Sequence, residues 1–154
     1  MSFNFMKNLG EKLIPLLKTG SCTPLISQLA KKIKEPSATI HYNIKKLEQD
    51  GSIISYKAVF NNKKINQGFG VYVLITLSPD EYGDPERIAH DLAKHPQIEA
   101  IDICTGDWEM VLKVQCKDQD EYYEFMKKVI SRKGITKIKS LTSLKQVKTE
   151  YVTL

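Results

Sequence analysis

The sequence has no long apolar run, and it has few residues of the types that build disulfide, metal or cofactor sites. No stretch approaches the roughly 18 residues that cross a bilayer, and no signal-peptide core follows Met1–Lys7. The three cysteines, Cys22, Cys104 and Cys116, form no CxxC pair. We therefore expect a cytoplasmic protein with buried free thiols, no membrane partner and no cofactor. The pattern excludes a disulfide framework and a thiolate zinc site.

The charge of the chain is concentrated near its start. The 154 residues are 42% apolar and 27% charged, which is enough for one domain or two small ones. The first 60 residues carry nine lysines and four acidic residues, whereas the rest of the chain carries fourteen residues of each sign. A basic module attached to a neutral one predicts that the first module meets a polyanion, most often nucleic acid. A soluble, lysine-rich surface is the alternative.

Apolar residues recur with helical spacing three times before Gly51. The first predicted helix is Phe5–Leu17, the second has Thr23 as its N-cap, and the third has Ser37 as its N-cap and runs to about Asp50. The residues predicted to face inward are Met6, Leu9, Leu13, Leu16, Leu17, Leu25, Ile26, Leu29, Ala30, Ile33, Ile40, Ile44 and Leu47. Together they predict a three-helix module.

The third helix has only a narrow apolar stripe, so its other faces are free for solvent or a partner. A short turn before such a helix is typical of a helix-turn-helix. The alternation in Ser52–Phe60 predicts a strand on one side of a wing. The residues predicted to contact DNA bases or phosphates are Ser37, Thr39, His41, Tyr42, Asn43, Lys45, Lys46 and Lys57. A bundle whose third helix is merely solvated fits the pattern about equally well.

From Gly70 onward, segments with the hydrophobic pattern of strands alternate with segments that have the pattern of helices. The predicted order is strand, helix, strand, strand, helix, strand, which is the ferredoxin-like arrangement. The elements are a strand at Val71–Leu77, a helix capped by Asp84, a strand at Ile98–Thr105, a Gly106–Asp107 turn into a strand from Trp108, a helix capped by Asp118 and ending at Gly134, and a strand at Ile135–Val147. One sheet face lacks helices, and we expect a second copy of the chain to cover it.

The predicted fold class is therefore α+β. A winged helix-turn-helix domain at residues 1–60 is followed by a linker at residues 61–69. A ferredoxin-like βαββαβ domain at residues 70–154 is predicted to mediate dimerisation and effector binding.

This order of parts resembles the leucine-responsive, AsnC-type transcription regulators, also called feast/famine proteins. The similarity covers nearly the whole chain. The stretches that carry it are ISQLAKKI, PSATIHYNIKKLEQDGSIISYKAVF, ICTGDWEMVLKV and SLTSLKQVK. The resemblance implies a sequence-specific regulator of double-stranded DNA, built as a homodimer and often assembled into tetramers or octamers.

The resemblance also implies an amino acid or related small molecule as effector, bound at interfaces between dimers near the hairpin. The matching positions are Thr105, Gly106 and Asp107, with Ser140 and Thr142 on the last strand. Backbone amides in a glycine turn can receive a carboxylate, and an aspartate can pair with an ammonium group. Asp107 is equally suited to capping its own turn.

Two other functions remain open at the level of the sequence. Sirohaem decarboxylases share the two-module layout, but they would need histidines around a tetrapyrrole. Here His90 and His95 lie on or beside an amphipathic helix, and the basic excess belongs to the other module. The second alternative is a ligand-binding adaptor without DNA binding, because the family often has an arginine where Asn43 stands. No motif of an enzyme active site is present, so the sequence predicts a protein that is not an enzyme.

Overall fold

A computed structural model describes Leu9 and residues 12–148 of the chain. The chain divides into two compact units, Met1–Phe60 and Asn61–Leu154. Across the described residues, each helix is too short or too polar to cross a membrane.

The described part of the first unit contains three helical segments. Residues 12–18 form the described part of α1, followed by α2 at Ile26–Ile33 and α3 at Ser37–Gln49. Between α2 and α3, Lys34 adopts a left-handed conformation (φ 62°), and the Glu35 amide donates to the Ala30 carbonyl at 3.1 Å. This bonding satisfies carbonyls at the end of α2 and turns the chain sharply into α3. The helix-turn-helix expected from the sequence is therefore present.

The boundaries and the core of this unit differ from the prediction. The helix α2 begins at Ile26, not next to Thr23, because residues 21–25 stay non-helical and Leu25 takes the N-cap position. An N-cap preference is worth only about 1 kcal/mol, so the rest of the fold can override it. Among the described residues of this unit, the buried apolar side chains are Ala30 and Ile40. The residues predicted to face inward but found exposed are Leu9, Leu13, Leu16, Leu25, Ile33 and Leu47. A module of this size cannot enclose all its apolar side chains.

The start of the first predicted helix, with Phe5 and Met6, lies outside the described residues. The predicted wing strand is wrong in this structure, because residues 53–60 are not assigned as a strand. The segment instead lies beside the end of α1, where the Ala58 amide donates to the Leu17 carbonyl at 3.2 Å. A strand requires a second backbone beside it, and none pairs with this segment in the described part of the chain.

The second unit contains a four-stranded antiparallel sheet with the order β2-β3-β1-β4. The strands are β1 at Phe69–Leu77, β2 at Ile98–Ile103, β3 at Met110–Cys116 and β4 at Ile135–Thr142. The helices are α4 at Pro85–Leu92 and α5 at Gln119–Phe125. Both helices pack on the same sheet face, where alternate residues of β1 and β3 are buried. The ferredoxin-like fold predicted from the sequence is confirmed.

Side-chain caps fix the start of both helices, as the sequence predicts. Asp84 caps α4 by accepting from the Arg87 amide at 3.2 Å, and Asp118 caps α5 by accepting from the Glu121 amide at 2.9 Å. The Glu121 carboxylate reaches back and accepts from the Lys117 amide at 2.7 Å. These bonds satisfy amides that have no partner within the helix.

A π-helical turn, Met126–Ile130, extends α5. The Ser131 amide donates to the Met126 carbonyl at 2.8 Å, which is the five-residue spacing of a π-turn. Phe125 and Ile130 lie five residues apart and are both buried, so the wider turn brings both side chains onto the core. The helix ends at Ile130 and not at the predicted Gly134, because Gly134 forms the turn into β4.

Three other predicted boundaries are shifted. The strands β2 and β4 end at Ile103 and Thr142, before the predicted Thr105 and Val147. The strand β3 begins at Met110 and not at Trp108, because residues 104–109 form the hairpin loop. Hydrophobic alternation continues past the residues that are hydrogen-bonded to a neighbouring strand, so it overestimates strand length.

The segment predicted as a linker, residues 61–69, is partly structured. It contains a 3₁₀ helix, Asn62–Ile65, and its last residue, Phe69, starts β1. The Gln115 side chain on β3 donates a hydrogen bond to the Gln67 carbonyl, which fixes this segment to the sheet.

The described cysteines are free, as predicted, but only Cys116 is buried. Cys22 and Cys104 are half-buried, which corrects the expectation of three buried thiols. Burial raises the pKa of the Cys116 thiol to about 11, so this group stays protonated at neutral pH.

Asp91 joins α4 to the segment that follows the π-turn. It accepts hydrogen bonds from Arg132 and, at 3.0 Å, from Lys94. These bonds, with that to Arg132 the stronger, lower the pKa of Asp91 from 3.8 to about 2. Because the pKa is lower in the folded state, the stabilisation is fully present above about pH 4 and is lost as the pH falls towards 2.

We therefore expect Asp91→Asn to lower the melting temperature at pH 6 and the difference from the parent protein to shrink between pH 4 and 2. Thermal denaturation followed by circular dichroism at several pH values measures this difference. The matched control is Asp80→Asn, which makes the same charge change at an exposed position outside the Asp91 ion pairs. A difference that stays constant down to pH 2 contradicts the prediction.

Candidate nucleic-acid interface

The helix α3 presents a continuous polar surface. Ile40 packs inward, whereas Thr39, His41 and Tyr42 are exposed, and the exposed fraction of Tyr42 is 69%. Side chains at these positions can therefore reach a partner. Every residue that the sequence predicts for DNA contact is exposed, namely Ser37, Thr39, His41, Tyr42, Asn43, Lys45, Lys46 and Lys57.

The start of α3 provides exposed hydrogen-bonding side chains. The Asn43 side-chain nitrogen donates to the Thr39 carbonyl at 2.8 Å, which holds the amide against its own helix. Its side-chain oxygen and second N–H remain available, and an amide with a donor and an acceptor can recognise an adenine edge. Pro36 is the N-cap and Ser37 is the first residue of α3, so the helix begins one residue earlier than predicted, because the prediction has Ser37 as the cap.

The end of α3 contains a charged network that the sequence analysis did not identify. The Lys45 Nζ lies 2.6 Å from Glu48 Oε2, and the Tyr56 hydroxyl donates to Glu48 Oε1 at 3.1 Å. The ion pair with Glu48 raises the pKa of Lys45 and lowers that of Glu48. The three-residue spacing of Lys45 and Glu48 on a helix is a signal for such a pair. The contribution of Tyr56 depends on how residues 53–60 fold back, which no local pattern indicates.

The hairpin between β2 and β3 is the predicted effector-binding segment. Thr105, Gly106 and Asp107 are exposed, and Gly106 has a φ of 111°, which side-chain-bearing residues rarely adopt. The Thr76 hydroxyl donates to the Asp107 carbonyl at 3.1 Å, so the turn is attached to β1 through its backbone. The Asp107 carboxylate makes none of the hydrogen bonds observed among the described residues.

Glu109 stabilises the base of this hairpin. Its carboxylate accepts from the Leu77 amide at 3.1 Å, next to the point where the β1–β4 register shifts. Its backbone carbonyl accepts from the Cys104 amide at 2.8 Å. The turn that carries Thr105 and Asp107 is therefore held by both neighbouring strands.

Ser140 and Thr142 lie on β4, and the structure does not bring them to the hairpin within one chain. The strand β1 lies between β3 and β4 in the sheet, so these residues are at the opposite sheet edge. The Ser140 and Tyr122 hydroxyls form a hydrogen bond at 2.5 Å, so Ser140 already has a partner in its own chain. A ligand that contacts both regions would need a second subunit.

The two histidines of the tetrapyrrole alternative lie in different environments. His90 is exposed on α4, whereas His95 is half-buried with its ring edge-on to Phe125, at 6.0 Å between centroids. Among the described residues there is no group of His, Cys, Asp or Glu that could hold a metal ion.

A helix-turn-helix with a polar, cationic third helix, followed by a ferredoxin-like sheet, defines a class of two-module transcription regulators. Known proteins identify the family. A family model described as "Lrp/AsnC ligand binding domain" matches residues 70–153. An uncharacterised HTH-type transcriptional regulator of Pyrococcus furiosus is 32% identical over 126 residues, which are 81% of this chain and 84% of the relative. The chain belongs to the Lrp/AsnC family of transcription regulators.

Solved structures share the fold over most of the chain. An AsnC family transcriptional regulator from Agrobacterium tumefaciens has a TM-score of 0.76 at 24% identity, with 94% of each chain covered. A transcriptional regulator from Neisseria meningitidis, solved as a complex with L-Met, has a TM-score of 0.74 at 19% identity, with 83% of each chain covered. The family and its members are regulators, which confirms the prediction that this chain is a regulator and not an enzyme.

Proposed function

We propose that the protein regulates transcription by inserting α3 into the major groove of a specific duplex. The observation that carries this proposal is the exposed polar surface of α3 beside a single buried residue, Ile40. Ser37, Thr39, His41, Tyr42 and Asn43 would approach base edges, because they offer donors, acceptors and small contacts there. Lys45, Lys46 and Lys57 would contact phosphates, which position a protein on DNA without reading its sequence. The proposed location is the cytoplasm.

The proposal assigns separate roles to the two modules. Residues 1–60 bind DNA, residues 61–69 connect the modules, and residues 70–154 form the dimer and hold the effector. The sheet face without helices supports dimerisation, because Tyr72, Leu74 and Leu141 are at least partly exposed on it. A two-fold dimer presents two α3 helices roughly 34 Å apart, which predicts a pseudo-palindromic site. Tetramers or octamers would form through further contacts between dimers.

An amino acid is the effector class that we propose, and the exposed hairpin is its site. The Neisseria meningitidis regulator binds L-Met, and the present chain shares its fold. The free Asp107 carboxylate can pair with an ammonium group, and the amides at Gly106 can receive a carboxylate. Since Thr105, Gly106 and Asp107 are separated from Ser140 and Thr142 within one chain, the site would form between subunits.

Selection of bound fragments from the source genome, followed by fluorescence anisotropy at increasing salt, tests the DNA proposal. We expect one class of fragments with related half-sites to be enriched and to bind about 1,000-fold more tightly than random duplex. The logarithm of the affinity should fall linearly with the logarithm of the salt concentration, because lysine–phosphate contacts release counterions. Absence of binding to any duplex would overturn the proposal in favour of a ligand-binding adaptor.

A further inference from the structure

Lys45 is one of the proposed phosphate contacts, yet in the structure its ammonium group already has an anionic partner. The Lys45 Nζ lies 2.6 Å from Glu48 Oε2, one helical turn further along α3. The side chain of Glu48 is only 28% exposed, whereas that of Lys45 is 54% exposed. The carboxylate is therefore the more fixed member of the pair, and the lysine is the member that can move.

Tyr56 holds the Glu48 carboxylate in place. Its hydroxyl donates to Glu48 Oε1 at 3.1 Å from the half-buried segment that follows α3. One carboxylate oxygen is thus bound by Tyr56 and the other faces Lys45. Because Tyr56 already orders the Glu48 carboxylate, this side chain loses little further conformational freedom when it pairs with Lys45. The ion pair is therefore more favourable than a pair formed by two mobile side chains.

A DNA phosphate and the Glu48 carboxylate can each form an ion pair with the Lys45 ammonium group. Both are anions that accept charge-assisted hydrogen bonds from Lys45. If Lys45 moves to a phosphate, Glu48 loses its cation and stays close to the polyanion, held by Tyr56. Lys46, the next residue, makes none of the ion pairs observed in the described chain, so it can contact a phosphate without losing one.

We propose that Glu48 competes with DNA phosphates for Lys45 and so lowers the affinity of the protein for every duplex, whatever its sequence. This inference rests on the proposed function, because it requires α3 to bind DNA. Glu48 is then a regulating residue that acts through Lys45 and does not itself contact a base. The lowered pKa of Glu48 agrees with a carboxylate that stays ionised at neutral pH.

The central variant in the test is Glu48→Gln, which removes the charge and keeps an oxygen that can accept from Tyr56. We expect it to bind both the selected site and a random duplex about threefold more tightly, as the loss of one exposed ion pair allows. The slope of log affinity against log salt should become steeper by less than about one unit, because Lys45 contacts a phosphate, and so displaces a counterion, in a larger share of the complexes. Tyr56→Phe should give a smaller change in the same direction.

The double variant Glu48→Gln with Lys45→Gln separates this competition from a general charge effect. We expect most of the gain from Glu48→Gln to disappear when Lys45 is absent, which a double-mutant cycle measures as coupling. Melting temperatures of all variants serve as the structural readout. A gain that persists without Lys45, or a Glu48→Gln protein with lower stability and unchanged affinity and slope, would overturn the inference while leaving the DNA proposal intact. If the parent protein binds no duplex, both the inference and the proposed function fail.

Discussion

Replacing Lys45 and Lys46 together with glutamine is expected to weaken binding to every duplex by about 100-fold at low salt. Each lysine that contacts a phosphate contributes about tenfold, through a charge-assisted hydrogen bond and the release of a counterion. Both side chains are exposed on α3, so they can reach a phosphate without a change of fold. Fluorescence anisotropy at several salt concentrations measures the effect, and the salt slope should become shallower by up to about two units.

The matched control for this pair is Lys127→Gln with Lys128→Gln. These lysines lie on the π-turn of the second unit and pair with Glu124, so the double replacement removes the same charge away from α3. We expect this control to change affinity less than threefold. Equal losses in the two double variants would show that net charge, and not α3, drives binding.

His41 and Tyr42 provide the complementary comparison. Because we propose that their exposed side chains contact base edges, alanine at either position should change the preferred sequence and leave the salt slope nearly unchanged. A lost base contact costs about 1–3 kcal/mol at the corresponding base pair. A uniform loss across all sequences would instead assign these residues to the phosphate backbone.

The parts of the fold that were predictable are those that depend on local chemistry. Asp84 before Pro85, and Asp118 three residues before Glu121, indicate helix starts because the side chain caps an amide within one turn. The apolar run of β1 likewise indicates a strand, and the face that carries Val71, Val73 and Ile75 is covered by the helices. These signals require no knowledge of distant residues, and the structure agrees with them.

The errors concern features that depend on distant parts of the chain. Alternation in residues 52–60 indicates which side chains face inward, but a strand needs a partner, and none of the described residues pairs with this segment. The exposure of Leu25 and Ile33 reflects how little surface the first unit can cover, which helical spacing alone does not reveal. The hydrogen bond from Tyr56 to Glu48 could not be predicted from the sequence, because it depends on the path of the chain after α3.

The candidate sites divide in the same way. The exposed face of α3 followed from the narrow apolar stripe through Ile40, because a helix that buries one side must leave the other free. The separation of Ser140 from Gly106 did not follow, since it depends on β1 lying between β3 and β4 in the sheet. The sequence therefore predicted the exposed face of one helix better than the relative positions of residues on different strands.

The second large effect is expected from Leu74→Glu on the sheet face that carries no helices. Leu74 is half-buried on β1, opposite Val111 on β3 and Lys139 on β4. In a two-fold dimer formed by this face, the substitution places two like charges in one apolar interface. Burying a charged carboxylate costs several kcal/mol of desolvation, which pairing with the neighbouring Lys139 repays only in part, so the dissociation constant of the dimer should rise by at least about 1,000-fold.

Analytical ultracentrifugation over a range of concentrations measures this change, and circular dichroism checks that the variant is folded. The matched control is Tyr123→Glu, which puts a charge at an exposed position on α5, a helix packed on the covered sheet face. If Leu74→Glu unfolds, Tyr72→Lys provides a second variant, because Tyr72 is already exposed in the single chain. A folded Leu74→Glu or Tyr72→Lys protein that remains a dimer would contradict sheet-face dimerisation.

The same variant connects assembly to DNA binding. When two α3 helices belong to one dimer, binding of the first raises the effective concentration of the second at its half-site. A monomeric Leu74→Glu protein keeps the α3 residues, so its affinity for a single half-site should equal that of the parent. Its affinity for the complete site should fall by about 100-fold or more, within the range by which linked sites exceed single ones. Equal affinity of the monomeric variant and the parent for the complete site would show that the two half-sites bind independently.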